Sequence, residues 1–411
     1  MTTAQRILLA LLVASIFLNY IDRSNLSLAA PLVQKEFSLS DTQLGELFSA
    51  FFWTYALFQL FGIAGWCADR FPVGLVLSAG VFLWSIATLL TGVLTGFAPL
   101  FALRLILGMG ESVAYPCYSR IFATDIPAEN RGVANAFIDA GSKVGPALGT
   151  LAGGFLLVHF GWRMFFVALG VLSLLWLAPW FYFARNLNAR ALPGEAARGS
   201  GPATLEILTK RSAWGAFFGH FCGNYFWYFL LTWLPTYLVR ERALSTETMV
   251  RVTSISLFAI AGATLCAGWV SDRWIRAGGT PTRVRKTVVC TGLGCSLLIL
   301  PVAVVEDQTL ALVLLMLASM SFGVYASNHW AITQTLAGPL AAGRWSSLQN
   351  GVGNLAGIVA SWLTGAVVDR TGSFAIAFAV SGLIAITGAL MWGVVVGPVR
   401  EVEWKSGSHA A

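Results

Sequence analysis

The sequence predicts an all-α membrane protein of twelve transmembrane helices in two pseudo-symmetric six-helix bundles. Three observations predict it. Of 411 residues, 57% are hydrophobic and only 11% charged, with mean hydropathy +0.73, whereas soluble domains carry about 25% charged residues. Apolar runs of about 20 residues, the length a helix needs to cross hydrocarbon, recur along the whole chain. One local pattern returns at the same place in each half.

The first half holds spans at 6–29, 43–66, 73–94, 98–120, 132–157 and 163–184. The second holds 213–238, 250–270, 286–305, 309–335, 345–367 and 373–397. The first span is too long for a signal h-region, carries two charges and has no small-residue cleavage site after it, so it is expected to remain in the chain. The 132–157 and 345–367 spans are rich in glycine, which predicts close helix packing. Between the halves lies "RNLNARALPGEAARGSGPATLEILTKRS", the one long polar interval. Its Pro, Gly and mixed charge read as a linker. The domain division is therefore 1–184, linker 185–212 and 213–411.

Positive charge sets the orientation. With a cytoplasmic N-terminus, seventeen Lys and Arg fall in inner loops and tails and six in outer loops. That bias predicts that both termini lie on the cytoplasmic side. It also accounts for pI 9.3 without a nucleic-acid partner. The six Cys are scattered with no metal or disulfide spacing and read as packing residues. No cofactor or metal is expected. No G-x-x-x-x-G-K-[ST] and no H-E-x-x-H occurs, so neither a primary pump nor an enzyme is expected.

The repeat is "GWCADR" (Gly65–Arg70) after span 2 and "GWVSDR" (Gly268–Arg273) after span 8. Internal repeats at this scale predict two bundles with a central site. Here the sequence resembles the major facilitator superfamily. Its loop between spans 2 and 3 reads G-x-x-x-D-R-x-G-R/K. The resemblance implies a cytoplasmic gate at Asp69, Arg70, Asp272 and Arg273. In "GWCADRFPVG" the terminal basic residue is missing, which implies a weaker latch in the first half.

A charge at the bilayer centre costs at least about 2.5–3.5 kcal/mol, so each one is a functional candidate. Six lie well inside spans, all in the first half: Asp22, Arg23, Arg104, Glu111, Asp139 and Lys143. Asp22 and Arg23 are helix neighbours pointing about 100° apart, so each needs its own partner. Arg104 and Glu111, in "LRLILGMGESVAYP", share a face about 10 Å apart along the axis. Depth then allows an Asp22–Arg104 pair and leaves Arg23 facing the cavity. Asp139 and Lys143 are spaced i,i+4 with the acid first, the favourable order for a self-neutralising pair. A second reading has Lys143 helping to hold an anion. The six charges sum to zero, so an anionic substrate leaves the site negative unless a carboxylate takes up a proton. That predicts inward co-transport of a proton with an anion. The proton is then the coupling ion.

Uncharged polar and aromatic groups populate the second half: "HFCGNYFWYFLLTWLPTYL", with His220, Asn224, Tyr225 and Tyr228, then "YASNHW" and "WSSLQNGVGN". Such groups suit hydroxyls of a small polar ligand and equally serve as interhelical hydrogen bonds.

The pieces "NYIDR", "WTYALFQ", "LRLILGMGESVAYP", "WLPTYL" and "NHW…QNGVGN" resemble the anion:cation symporter branch of the superfamily, carriers of sugar acids and related organic anions. The resemblance implies roles at matching positions. Arg23 is the carboxylate-binding arginine, by bidentate pairing. Glu111 is the protonatable helix-4 acid. Asp22 and Arg104 form the pair broken on switching. Tyr55, Trp330 and Asn350 contact the substrate, with Tyr225 and Lys143 as further candidates. Lys143 departs from the sugar-acid members. The expected function is proton-coupled symport of a small organic anion, most closely a sugar acid, by alternating access in a monomer. A proton/drug antiporter of the same fold is the alternative, since "GSKVGPALG" in span 5 resembles an antiporter motif. Three basic groups in the cavity disfavour cationic drugs.

Overall fold

A computed structural model describes residues 1–126, 131–184 and 202–404. The side chains of Asp69, Asp139 and Lys143 lie outside the described residues, as does most of the 185–212 linker.

The described residues form sixteen α-helices and no strand. In the first half they are α1 (Thr3–Phe37), α2 (Asp41–Leu60), α3 (Ile63–Arg70), α4 (Val73–Thr91), α5 (Phe97–Ser112), α6 (Ala114–Asp125), α7 (Arg131–Leu175) and α8 (Leu177–Ala184). After the short α9 (Thr204–Leu208) come α10 (Arg211–Arg240), α11 (Thr246–Arg276), α12 (Pro281–Cys295), α13 (Ile299–Val302), α14 (Gln308–Ala326), α15 (His329–Thr371) and α16 (Ala375–Leu390).

Nine helical runs among the described residues are long and apolar enough to cross a membrane. One of them, Ala140–Phe183, is two spans meeting at Gly161, whose φ is 79°. The polar side chains of α2 and the His, Asn, Tyr and Trp of α10 lower their hydropathy, yet both helices have spanning length. Together these make the twelve expected spans.

Local chemistry sets the element ends. Thr2 with Gln5, and Ser40 with Gln43, form capping boxes at the starts of α1 and α2, each satisfying two orphan backbone N–H groups. Gly62 (φ 69°) separates α2 from α3. Pro116 lacks the N–H that would bond the Ser112 carbonyl, and the chain breaks between α5 and α6 at Val113. The expected span at 309–335 is likewise interrupted. Helix α14 stops at Ala326, and buried Asn328 holds the turn, accepting from Ser271 Oγ at 2.9 Å and donating to Ser327 Oγ at 2.9 Å. Helix α15 then starts at His329 and changes direction at Gly338 (φ 61°), which makes it two limbs.

The chain divides into two compact units. The first comprises Met1–Leu192, Leu231–Leu257 and Ser361–Arg370. In it α1 packs on α7, and α2 and α4 pack on α5. The α7 glycines make this close. A Cβ on Gly141, Gly145 or Gly149 would press on Ile16, Phe17 or Ile21 of α1. A small-residue stripe at four-residue spacing thus sets α1 against α7, as the glycine content predicts. Gly108 likewise lets α5 approach the Phe51 carbonyl of α2.

At the Phe37 end of this unit α1 and α2 meet Leu231–Leu257 and Ser361–Arg370. Pro235 deprives the Leu231 carbonyl of its helical donor. Ser27 Oγ donates to Leu231 O at 2.6 Å and to Thr232 O at 2.9 Å instead. Asp41 pairs with Arg240 and accepts from Gln34 Nε2 at 2.6 Å. Thr42 Oγ1 donates to Asp369 at 2.6 Å. Trp233 Nε1 donates to Ser361 O at 3.1 Å, and its ring meets Phe48 edge-on.

The second unit comprises Pro193–Leu230, Phe258–Ala360 and Thr371–Ala411. Helix α12 packs on α14 and α16. Its chain end crosses the Gly338 bend: Val402 N donates to Leu336 O at 2.9 Å, and Trp404 Nε1 to Ala337 O at 3.3 Å.

Candidate functional site

Helix α1 places three chemically different side chains within one turn and a half of each other: Asn19, Asp22 and Arg23. All are buried; Asp22 is 0% and Arg23 8% exposed. Helix α5 brings Arg104 and Glu111, also buried. Four of the six predicted charges therefore converge in the first unit, but their pairing differs from the expectation.

Arg23 does not stand free. Its Nε donates to Glu111 Oε2 at 2.8 Å in an ion pair with both side chains withdrawn from solvent. Arg23 is a helix neighbour of Asp22, but its 100° rotation points it at α5 rather than at Asp22's partners. Its guanidinium lies over aromatic rings, 4.6 Å from the Tyr20 centroid and 4.4 Å from that of Tyr55, with Phe51 at 5.4 Å. Such cation–π contacts strengthen where water is excluded. The rings help to hold the guanidinium while it pairs with a carboxylate.

Asp22 and Arg104 form no direct ion pair. Asp22 Oδ1 accepts from Thr88 Oγ1 of α4 at 2.8 Å and from Asn25 Nδ2 at 3.1 Å. Arg104 Nη1 reaches Asn25 Oδ1 at 3.5 Å. The carboxamide of Asn25, one turn beyond Asp22 on α1, thus stands between acid and base. Depth along the helices lets Asp22 and Arg104 meet, and Asn25 lodges between them. Tyr20 and Tyr115 hydroxyls are 3.3 Å apart beside this cluster.

The second unit has a cluster of another kind, built from rings and neutral polar groups. His220 and His329 rings stack at 4.9 Å with 14° between planes, and the Tyr325 ring stacks on His329 at 4.9 Å. Trp330 tilts over both imidazoles at 5.0 and 5.1 Å. His220 Nδ1 faces the Tyr325 hydroxyl at 3.4 Å, and its Nε2 faces Asn224 Nδ2 at 3.3 Å. Gly353 has no room for a Cβ against His220 and Asn224, so α15 passes close to α10 here. The predicted contact residues Trp330 and Asn350 are both half-buried in this unit. Tyr225 is buried on α10. Tyr228 donates to Asn354 Oδ1 at 2.6 Å. The sequence marks His220, His329 and the buried Gln349 among the polar groups of the second half but does not show that the histidines stack or what Gln349 contacts. The i,i+4 spacing of His220 with Asn224 and of His329 with Thr333 is the signal that carries the cluster.

The repeated G-W-x-x-D-R segments sit at helix ends. Arg70, Asp272 and Arg273 are exposed, and among the described residues none of the three makes an ion pair. The Arg273 guanidinium lies 5.7 Å from the Trp269 ring. Arg120 Nη1 donates to Phe71 O at 3.2 Å just after the first copy.

Comparison with known proteins agrees with this architecture. The family model described as Major Facilitator Superfamily matches residues 12–361. A probable sulfoacetate transporter of Cupriavidus necator is 32% identical over 402 residues, covering 94% of this chain and 92% of the relative. A probable galactarate/D-glucarate transporter of Bacillus subtilis is 30% identical over 419 residues, covering 94% and 91%. A solved bacterial homolog of the human lysosomal transporter Spinster, inward-facing and unoccupied, shares the fold with TM-score 0.79 at 18% identity, covering 96% and 98%. The chain belongs to the Major Facilitator Superfamily and is a multi-pass membrane transporter, not an enzyme.

Proposed function

We propose that the chain is a proton-coupled symporter carrying a small organic anion, a sugar acid in the first instance, into the cell. The observation that carries this reading is the buried Arg23–Glu111 ion pair. An incoming carboxylate competes with Glu111 for the guanidinium. If the substrate displaces Glu111, a buried carboxylate is left without its countercharge, which costs about 3–5 kcal/mol. A proton on Glu111 removes that cost. Anion binding and proton uptake at Glu111 therefore favour each other. The proton is the only co-substrate this scheme needs.

Asp22, held by Thr88 and Asn25 and linked through Asn25 to Arg104, is the second proton-sensitive group in this reading. Its protonation loosens the α1–α5 connection and favours the conformational switch. Tyr55, whose ring lies 4.4 Å from the guanidinium carbon, helps to hold Arg23 for the incoming carboxylate. Trp330, Asn350 and Tyr225 supply uncharged contacts for substrate hydroxyls. The names of the relatives, sulfoacetate and galactarate/D-glucarate transporters, support the anion class. The loop charge bias supports cytoplasmic termini in a bacterial inner membrane, with Arg70, Asp272 and Arg273 at the cytoplasmic gate of a monomer.

Uptake into proteoliposomes tests this. With galactarate, D-glucarate and sulfoacetate as probes, an inward proton gradient is expected to drive accumulation of at least one. Glu111→Gln is expected to abolish the dependence on the gradient. Wild-type uptake indifferent to the gradient overturns the coupling, and no uptake or binding of any organic anion overturns the substrate class.

A further inference from the structure

Gln349 occupies an unusual position in the second unit. It is fully buried, 0% exposed. Its carboxamide oxygen accepts two hydrogen bonds from two different places on α15. Thr333 Oγ1, on the limb before Gly338, donates at 2.9 Å. Trp345 Nε1, on the limb after it, donates at 3.2 Å. One side-chain oxygen thus ties together two limbs that meet at a glycine bend with φ 61°.

Each end of this tie leads to the ligand-facing candidates. Thr333 is one turn beyond His329, and its hydroxyl also faces the His329 carbonyl at 3.1 Å. Trp330 is the next residue along, lying over the His220–His329 stack. On the other limb Asn350 follows Gln349 directly. Gly353, one turn on, abuts His220 and Asn224. Trp345 is itself braced from outside, edge-on to Trp404 at 6.1 Å, and Trp404 bonds the Ala337 carbonyl next to the bend.

A second observation argues that this glutamine is more than filling. Its Nε2 is buried and has no hydrogen-bond partner. A buried amide donor left unmet is a destabilising feature. A leucine or methionine of similar volume would pack the same space without it. The carboxamide is therefore retained for its oxygen, and the oxygen does one thing here: it fixes the register of one limb of α15 against the other.

We propose that Gln349 is a positioning residue of the substrate site, setting the separation of Trp330 and Asn350 through Thr333 and Trp345. The inference rests on the reading that Trp330 and Asn350 contact substrate. A misplaced pair loses binding while the proton-sensitive groups of the first unit stay as they are. The effect therefore falls on KM and leaves the pH profile of uptake in place.

The test measures KM, Vmax and pH profile of proteoliposome uptake, using whichever of galactarate, D-glucarate or sulfoacetate gives saturable transport. Gln349→Leu is expected to raise KM about fivefold or more with Vmax within about twofold and no shift of the pH profile. Thr333→Val is expected to raise KM as well, and to add nothing when combined with Gln349→Leu. Thr333→Ser keeps the hydroxyl and is expected to behave as wild type. An unchanged KM in Gln349→Leu overturns the proposal, as do equal effects of Thr333→Val and Thr333→Ser. Where Gln349→Leu fails to fold, the Thr333 pair alone decides. Trp330→Ala and Asn350→Ala run in parallel. If neither raises KM, the contact reading itself fails; if they do and Gln349→Leu and Thr333→Val do not, only the positioning role fails.

Discussion

The two clusters answer the same problem, polar groups deep in an apolar protein, in opposite ways. The first unit buries formal charges and neutralises them in pieces: Arg23 directly with Glu111, Asp22 with Arg104 only through Asn25. The second has no carboxylate, Lys or Arg among the described residues of its cluster and links imidazoles, hydroxyls and carboxamides to one another. A charged pair in a low-dielectric place responds strongly to a proton or an anion. A neutral network responds to shape. In the proposed function, coupling falls to the first cluster and discrimination among anions to the second.

The sharpest way to break that assignment is at Arg23. Arg23→Ala is expected to lower anion affinity at least about thirtyfold, the loss typical when one partner of a buried charge pair is removed. Arg23→Lys is expected to rescue poorly, because an ammonium lacks the planar fork that pairs with a carboxylate and stacks on the Tyr20 and Tyr55 rings. Titration of purified protein by scintillation proximity or calorimetry checks both. Next in size is Asp22→Asn. It keeps the hydrogen bonds available to Thr88 but removes the charge, and is expected to slow gradient-driven uptake about tenfold with affinity within about threefold. Comparing driven uptake with equilibrium binding on one preparation measures the split.

Smaller effects sharpen the second half of the comparison. Trp330→Ala is expected to raise KM about tenfold, within the range of a lost binding contact, while leaving the pH dependence of uptake in place. A changed pH profile there would show that coupling is not confined to the charged cluster. The smallest expected effect is at Ser27, whose hydroxyl stands in for the donor that Pro235 lacks. Ser27→Ala leaves the Leu231 carbonyl unmet and is expected to cost about 1–3 kcal/mol of thermal stability, read as a lower melting temperature in detergent.

Much of this was legible in the sequence because the membrane constrains it so tightly. Spans follow from length and apolarity, the bundle repeat from two copies of G-W-x-x-D-R, and the close packing of the 132–157 span from its glycines, though not that α1 is its partner. The buried charges announced themselves by their cost. What the sequence withheld was azimuth. Depth along a helix can be counted at a fixed rise per residue, so Asp22 and Arg104 fell at compatible levels. Which way each pointed depended on how α1 rolled against α7. That roll sends Arg23 to Glu111 and lets Asn25 into the gap. The α14–α15 break at Ser327–Asn328 was hidden for a similar reason. No proline marks it; a buried asparagine held by Ser271 of another helix does.

The central claim is that Glu111 takes up a proton as the substrate takes over Arg23. The direct measurement is proton uptake on anion binding by purified protein in weakly buffered solution, followed with a pH dye. For a substrate that stays ionised above about pH 4, the wild type is expected to alkalinise the solution on binding and to bind more tightly as pH falls. Glu111→Gln is expected to bind with no proton uptake and a flat pH dependence. Equal proton uptake in wild type and Glu111→Gln, or none in the wild type, would contradict the account.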